Sequence, residues 1–160
     1  METKEMPRDE RFMREAMRLA EEAAAEGEIP VGAVVVRGDE IVGRGRNRRE
    51  LGKNALYHAE IEAINEACGR LHGWRLFGCE LYVTLEPCPM CAGAAINARF
   101  DRVIFGTADP KAGSCGTLVD LFELPYNHHP ALTAGVLREE CAAQLTGFFR
   151  ELRAEKAKKE

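Results

Sequence analysis

Two short motifs, His58-Ala59-Glu60 and Pro87-Cys88-Pro89-Met90-Cys91, whose first cysteine follows the histidine by thirty residues, constrain the chain more than anything else in it. One imidazole and two thiolates make a soft N/S donor set suited to Zn²⁺. Any fold the chain adopts must therefore bring segments 58–60 and 88–91 to one point. Three protein ligands leave one tetrahedral position for water, which separates a catalytic zinc from a closed structural one, and water held there has its pKa lowered toward ~7. Glu60, two residues past the histidine, is then free to move a proton rather than bind the metal. Alone, the C-x-x-C also suits a four-ligand structural zinc or thiol redox chemistry. Its pairing with His-x-Glu, and the lack of a preceding thioredoxin-like β-α-β pattern, favour the catalytic reading. His72, His128 and His129 have no ligand spacing to the cluster.

At 160 residues and 46% hydrophobic, the chain is expected to form a single domain over 1–160 with a substantial core. No run approaches the ~20 apolar residues of a membrane span. Residues 1–5 carry charge where an export signal needs an apolar stretch, so a cytoplasmic location is expected. Of the six cysteines, Cys68, Cys79, Cys115 and Cys141 then read as free thiols acting as small buried hydrophobes. The net charge of −4 argues against a general nucleic-acid binder. Its distribution is uneven, with acid concentrated before residue 29 and base in two clusters: Arg44, Arg46, Arg48, Arg49 and Lys53, then Arg150, Arg153, Lys156, Lys158 and Lys159. These are either solvated faces or surfaces that hold phosphates.

Hydrophobic periodicity alternates helix and strand, as in an α/β layer fold. Phe12, Ala16, Leu19, Ala20 and Ala23 mark a helix over 11–26 that stops at Gly27. Segments 31–36 and 41–45 read as a hairpin around Arg37-Gly38-Asp39-Glu40. A second helix starts near His58 with Ile61, Ile64, Ala67, Cys68 and Leu71 inward. A strand over 81–85, a helix over 88–98 and a strand over 102–106 follow, then a short helix over 118–123 and a weak strand over 132–134. The last helix begins at Val136 with Leu137, Cys141, Leu145, Phe148 and Leu152 inward. On this reading Cys88 and Cys91 share one face of a helix N-terminus, where free N–H groups and the dipole favour thiolate. His58 opens a neighbouring helix, so two helix starts converge at the carboxyl edge of a sheet.

The His-x-Glu and Pro-Cys-x-x-Cys pair is the zinc-deaminase signature, and the likeness extends further. Ile29-Pro30-Val31-Gly32-Ala33-Val34, Asn47-Arg48, Leu81-Tyr82-Val83-Thr84-Leu85-Glu86, Phe105-Gly106-Thr107-Ala108-Asp109, Gly116-Thr117-Leu118, Asn127-His128 and Phe148-Phe149-Arg150 fall in the order seen in bacterial tRNA-specific adenosine deaminases. Nearly the whole chain resembles that family. The resemblance implies an α/β fold, a cytidine deaminase-like three-layer α/β/α sandwich around a five-stranded mixed sheet, one Zn²⁺ per chain and a homodimer. It implies hydrolytic deamination of adenosine to inosine at the wobble position of tRNA, with release of ammonia. His58, Cys88 and Cys91 match the family's zinc ligands and Glu60 its proton shuttle. Asn47 and Asp109 match positions that approach the nucleotide, and the Phe148-Phe149-Arg150 end resembles a helix that helps hold the anticodon loop.

The chain departs from the family at Leu56-Tyr57, where a small Thr-Ala pair is usual. A tyrosine there either narrows the pocket or offers a base a stacking face. Arg46, Arg48, Phe149, Arg150 and Arg153 are the basic and aromatic groups expected to hold flanking nucleotides. Small residues Ala92, Gly93, Ala94 and Ala95 would let the third helix pack closely against a second copy. Two other readings stay open: a deaminase of a free purine base or nucleoside, and a non-catalytic zinc-stabilised RNA-binding or dimerisation module. An unliganded carboxylate beside an open zinc argues against the latter.

Overall fold

The computed structural model describes residues 6–159, and the charged segment 1–5 lies outside them. Five strands, β1 (Gly32–Arg37), β2 (Glu40–Arg46), β3 (Cys79–Leu85), β4 (Arg102–Thr107) and β5 (Ala131–Ala134), form one sheet in the order β2-β1-β3-β4-β5. β1 is antiparallel to β2 and β3, while β3, β4 and β5 run parallel, so the sheet is mixed. Parallel neighbours need a crossover, and α3 (Pro89–Asn97) supplies it between β3 and β4. Helices α1 (Arg8–Ala25) and α4 (Arg138–Lys159) cover one face, and α2 (Ala59–Leu71) and α3 the other. This is the expected three-layer sandwich.

Because both faces are covered, the central strands are apolar at successive positions instead of alternating with polar residues. Ala33, Val35, Leu81, Val83, Val103 and Phe105 point to the α2/α3 side, and Val34, Val36, Tyr82 and Ile104 to the α1/α4 side. A one-residue register slip would exchange these sets, so burial on both faces leaves the register fixed by fit rather than by polarity.

The seat of α2 matters most for the site. Its buried stripe is Ala59, Ala63 and Ala67, and it lies on Gly43 and Gly45 of β2 so closely that a Cβ on either glycine would overlap the Ala63 or Ala59 carbonyl. Alanine on glycine brings backbone onto backbone and fixes where the helix begins. The larger residues expected inward are partly buried: Ile64, Cys68 and Leu71 flank the core, and Ile61 joins neither apolar cluster.

Other boundaries differ in physically simple ways. The hairpin closes on Gly38 and Asp39 alone, with Gly38 at φ +65°. The short helix over 118–123 shrinks to a 3₁₀ turn, Leu121–Glu123, capped by Asp120. The inward face expected along α4 holds at Cys141, is partial at Leu145 and Phe148, and ends before Leu152, which is 36% exposed. A 22-residue helix is about 33 Å long, and it outruns the six-residue β4 on which it packs. All six cysteines are free; Cys79, Cys91, Cys115 and Cys141 are buried, and Cys68 and Cys88 partly so. Among the described residues no helix is long and apolar enough to cross a membrane.

Candidate metal centre and its cavity

His58 and Cys88 occupy equivalent places, each the extended N-cap residue of a helix, α2 and α3. Pro89 opens α3, where its missing N–H costs nothing, and Cys91 completes the first turn. The result is a compact donor set. His58 Nδ1 lies 3.6 Å from the Sγ of both Cys88 and Cys91, and all three ligand atoms fall within 4.8 Å of one another. A tetrahedral zinc with Zn–N about 2.05 Å and Zn–S about 2.3 Å requires an N···S separation of about 3.6 Å. The residues therefore fit the ion with little rearrangement. Among the described residues this is the one such group, and it stops at three: Cys115, though buried, is not a member.

The protons of the set are strongly polarised. The Cys91 thiol donates to Cys88, and with help from His58 and the Cys91 backbone N–H this overcomes burial and pulls the Cys88 thiol down to about 4. Cys91 moves the other way, its proton held by Cys88 and by burial. His58 is raised, chiefly by its bond to Cys88. Three groups thus share protons that a divalent cation replaces.

Glu60 sits in the first turn of α2, 4% exposed. Burial pushes its carboxyl up to about 7; its own backbone N–H and His58 oppose the shift, and the Cys88 thiolate adds to it. A carboxyl near neutrality can both accept and return a proton.

His58, Glu60 and Cys88 line a cavity of about 470 Å³. Its apolar walls come from Ile29, Val31, Leu85, Leu145 and Phe149, and its polar ones include Asn47 and Asp109. Both are held in place. Asn47 donates to the Ile29 carbonyl at 3.2 Å and accepts the Arg49 N–H at 3.2 Å; Asp109 accepts the N–H of Lys111 at 2.9 Å and of Ala112 at 3.3 Å. The structure thus brings Asn47, His58, Glu60, Cys88, Cys91, Asp109 and Phe149 together.

It leaves others apart. Tyr57 does not line the cavity: its ring lies over Gly52, where a Cβ would overlap it, so it neither narrows the pocket nor stacks there. Arg150 and Arg153 are exposed on α4 beyond the lining residues. Arg46 pairs with Glu26 and Arg48 with Glu62, so neither stands free for a phosphate. His128 and His129 bind the Phe100 and Leu124 carbonyls, and His72 caps α2 in a left-handed conformation.

Two buried carboxylates went unnoticed in the sequence. Glu86 accepts the N–H groups of Asp109, Cys115 and Thr117 and the Thr117 hydroxyl, and Glu28 accepts those of Glu50 and Leu51. Their signal was a charge bordering a continuous apolar run, as Glu86 follows the strand 81–85.

A family profile described as the cytidine and deoxycytidylate deaminase zinc-binding region matches residues 6–107, the span that carries all three donors. The chain belongs to that deaminase family. Within the family it is 50% identical to a tRNA-specific adenosine deaminase of Bacillus subtilis over 94% of both chains. It is 44% identical to the tRNA-specific adenosine deaminase of Haemophilus influenzae over 92% of this chain and 87% of that one. A solved structure from work on A-to-I editing by tRNA:A34 deaminases superposes with TM-score 0.81 at 40% identity, covering 84% of this deaminase and 99% of that chain. A guanine deaminase from Nitrosomonas europaea superposes with TM-score 0.74 at 25% identity, covering 92% and 86%.

Proposed function

We propose that residues 1–160 form one deaminase domain that hydrolyses adenosine to inosine at the wobble position of tRNA, releasing ammonia. The observation that carries this reading is the buried Glu60 carboxyl in the wall of a nucleoside-sized cavity, beside a three-donor zinc group, in a chain half identical to a tRNA-specific adenosine deaminase. His58, Cys88 and Cys91 are the residues that hold zinc, one ion per chain. When bound, zinc supplies the Lewis acidity that activates water for attack at neutral pH.

The chain's own groups do the rest. A base inside an anticodon loop reaches the cavity only by swinging out of its stack. Ile29, Val31, Leu85 and Phe149 replace the neighbouring bases as apolar contacts, and Asn47 and Asp109 give it polar ones. As water adds to C6, a Glu60 oxygen takes its proton and then gives it to the departing N6, so the C6–N6 bond breaks as ammonia leaves. Burial that holds the carboxyl near 7 suits it to both halves of the transfer.

We further propose a homodimer, supported by half-exposed Gly93 and Ala94 on α3 and by exposed Leu118 and Val119 close by in sequence to the 3₁₀ turn that α3 packs against. Light scattering at micromolar concentration should give twice the chain mass. A cytoplasmic location is part of the same proposal, supported by the likeness to bacterial tRNA-specific adenosine deaminases.

A side-by-side assay tests the reaction: an anticodon stem-loop with wobble adenosine, free adenosine and free guanine. Inosine in the stem-loop is expected. The guanine deaminase likeness favours one second reading, a free-purine deaminase, and turnover of guanine with an untouched stem-loop would establish it instead.

A further inference from the structure

The basic residues of segment 44–49 differ in what they touch. Arg44 pairs with Glu15, Arg46 with Glu26 and Arg48 with Glu62, so their charges are offset on the protein's own surface. Arg49 is exposed at the cavity, and among the described residues its guanidinium has neither a hydrogen bond nor an ion pair. Its main chain is nonetheless fixed. Asn47 accepts its N–H, its carbonyl accepts the Asn54 N–H at 3.1 Å, and the next two N–H groups donate to the two oxygens of Glu28 at 2.9 and 2.7 Å. Glu28 is 1% exposed, a carboxylate spent wholly on that loop.

A second cation of the cavity lining repeats the design. Lys111 is exposed at the cavity, its ammonium has no partner among the described residues, and its N–H is held by Asp109. Asp109 in turn donates its own N–H to Glu86 at 3.1 Å. In each case a buried carboxylate fixes the main chain while a cation's side chain stays uncommitted. Such a group loses little in reorganising when an anion arrives. The anion cannot be deep in the cavity, because Glu60, Glu86 and Asp109 line it. It must be met at the mouth.

We propose that Arg49 and Lys111 are specificity-determining residues that bind the backbone phosphates flanking the reacting nucleotide. The cavity then selects an internal nucleotide of a strand over a free nucleoside or base. This rests on the reading of RNA as substrate, which is why binding and turnover are measured separately. Neither cation belongs to the metal-donor group.

The test uses zinc-loaded protein, fluorescence anisotropy of an anticodon stem-loop over a range of salt, and kcat and KM on that RNA and on free adenosine. Arg49→Ala and Lys111→Ala should each flatten the log–log salt slope by about 0.7, the value for one single-strand phosphate contact. Each should raise KM for RNA roughly tenfold, as loss of a charge-assisted contact does, and by much more than it raises KM for free adenosine, which has no flanking phosphate. Arg49→Lys should restore most of the slope. Arg18→Ala, which removes a cation paired with Glu15 and Glu22 on α1, should leave it untouched. A wild-type slope and KM in both Arg49→Ala and Lys111→Ala overturns the proposal while leaving the RNA reading intact. Wild-type protein that fails to bind the stem-loop overturns the RNA reading itself, and the proposal with it.

Discussion

The carboxylate of Glu86, 2% exposed, accepts the backbone N–H of Asp109 at 3.1 Å and holds the loop that walls the cavity to the end of β3. Burial alone would raise its pKa, but the Thr117 hydroxyl and the N–H groups of Asp109, Cys115 and Thr117 outweigh that and hold it below the ordinary 4.5. A carboxylate depressed in the folded state stabilises the fold above its unfolded pKa, and that stabilisation is lost as pH falls through the folded value. Glu86→Gln should therefore lower Tm at neutral pH, and the gap to wild type should close below pH 4.5. Thermal melts of both proteins from about pH 3 to about pH 8, which run from within carboxylate titration to well above it, read this directly; a gap that stays constant with pH would contradict it.

Glu60→Ala should keep zinc and fold while losing about 10²–10⁴-fold in kcat, the usual share of a general acid–base group. Metal analysis and circular dichroism alongside single-turnover kinetics separate a lost proton carrier from a lost metal. Turnover near the wild-type rate would assign proton transfer to another group.

Gly45→Ala places a methyl against the Ala59 carbonyl. Overpacking of this kind costs about 1–3 kcal/mol, and here the displaced element is the start of α2, which carries His58. The expected result is a lower Tm together with weaker zinc retention under chelator competition. Gly69→Ala, on the same helix with open space around it, should show neither effect and serves as the control.

Zinc should be present at one equivalent per chain and should stabilise the protein, since it would join His58 at the start of α2 to Cys88 and Cys91 at the start of α3. Stripping it with a chelator should lower Tm, because a ligand that binds only the folded state stabilises that state. Cys88→Ser should bring Tm close to the stripped value and make it insensitive to added zinc. A chelator-independent Tm would mean that the sandwich holds the two helices without the ion.

The zinc donors and Glu60 were legible because their spacing within two short motifs determines their geometry once both segments start helices. The strands were legible because burial on both faces writes continuous apolar runs such as the one over 81–85. The mouth of the cavity was not. Whether an arginine is free depends on carboxylates elsewhere: Arg46 is paired by Glu26, 20 residues away, and Arg48 by Glu62, 14 away. No local pattern distinguishes them from Arg49. Tyr57 lies in a loop without periodicity, and its turn over Gly52 is set by packing. Helical periodicity continued to Leu152 because it records which side of a helix is apolar, not where the body beneath it ends.

The outer part of α4 separates charges that the net value of −4 conceals. Residues 150–159 are exposed throughout and span about 15 Å of helix, roughly two Debye lengths at physiological ionic strength. At that reach the acidic bulk of the protein is screened from the helix tip, and a polyanion arriving there meets Lys156, Lys158 and Lys159 as a locally basic object. The molecule is thus a charge dipole with its positive pole on a boom. Within about a Debye length of that tip a polyanion meets net positive charge although the protein as a whole is acidic.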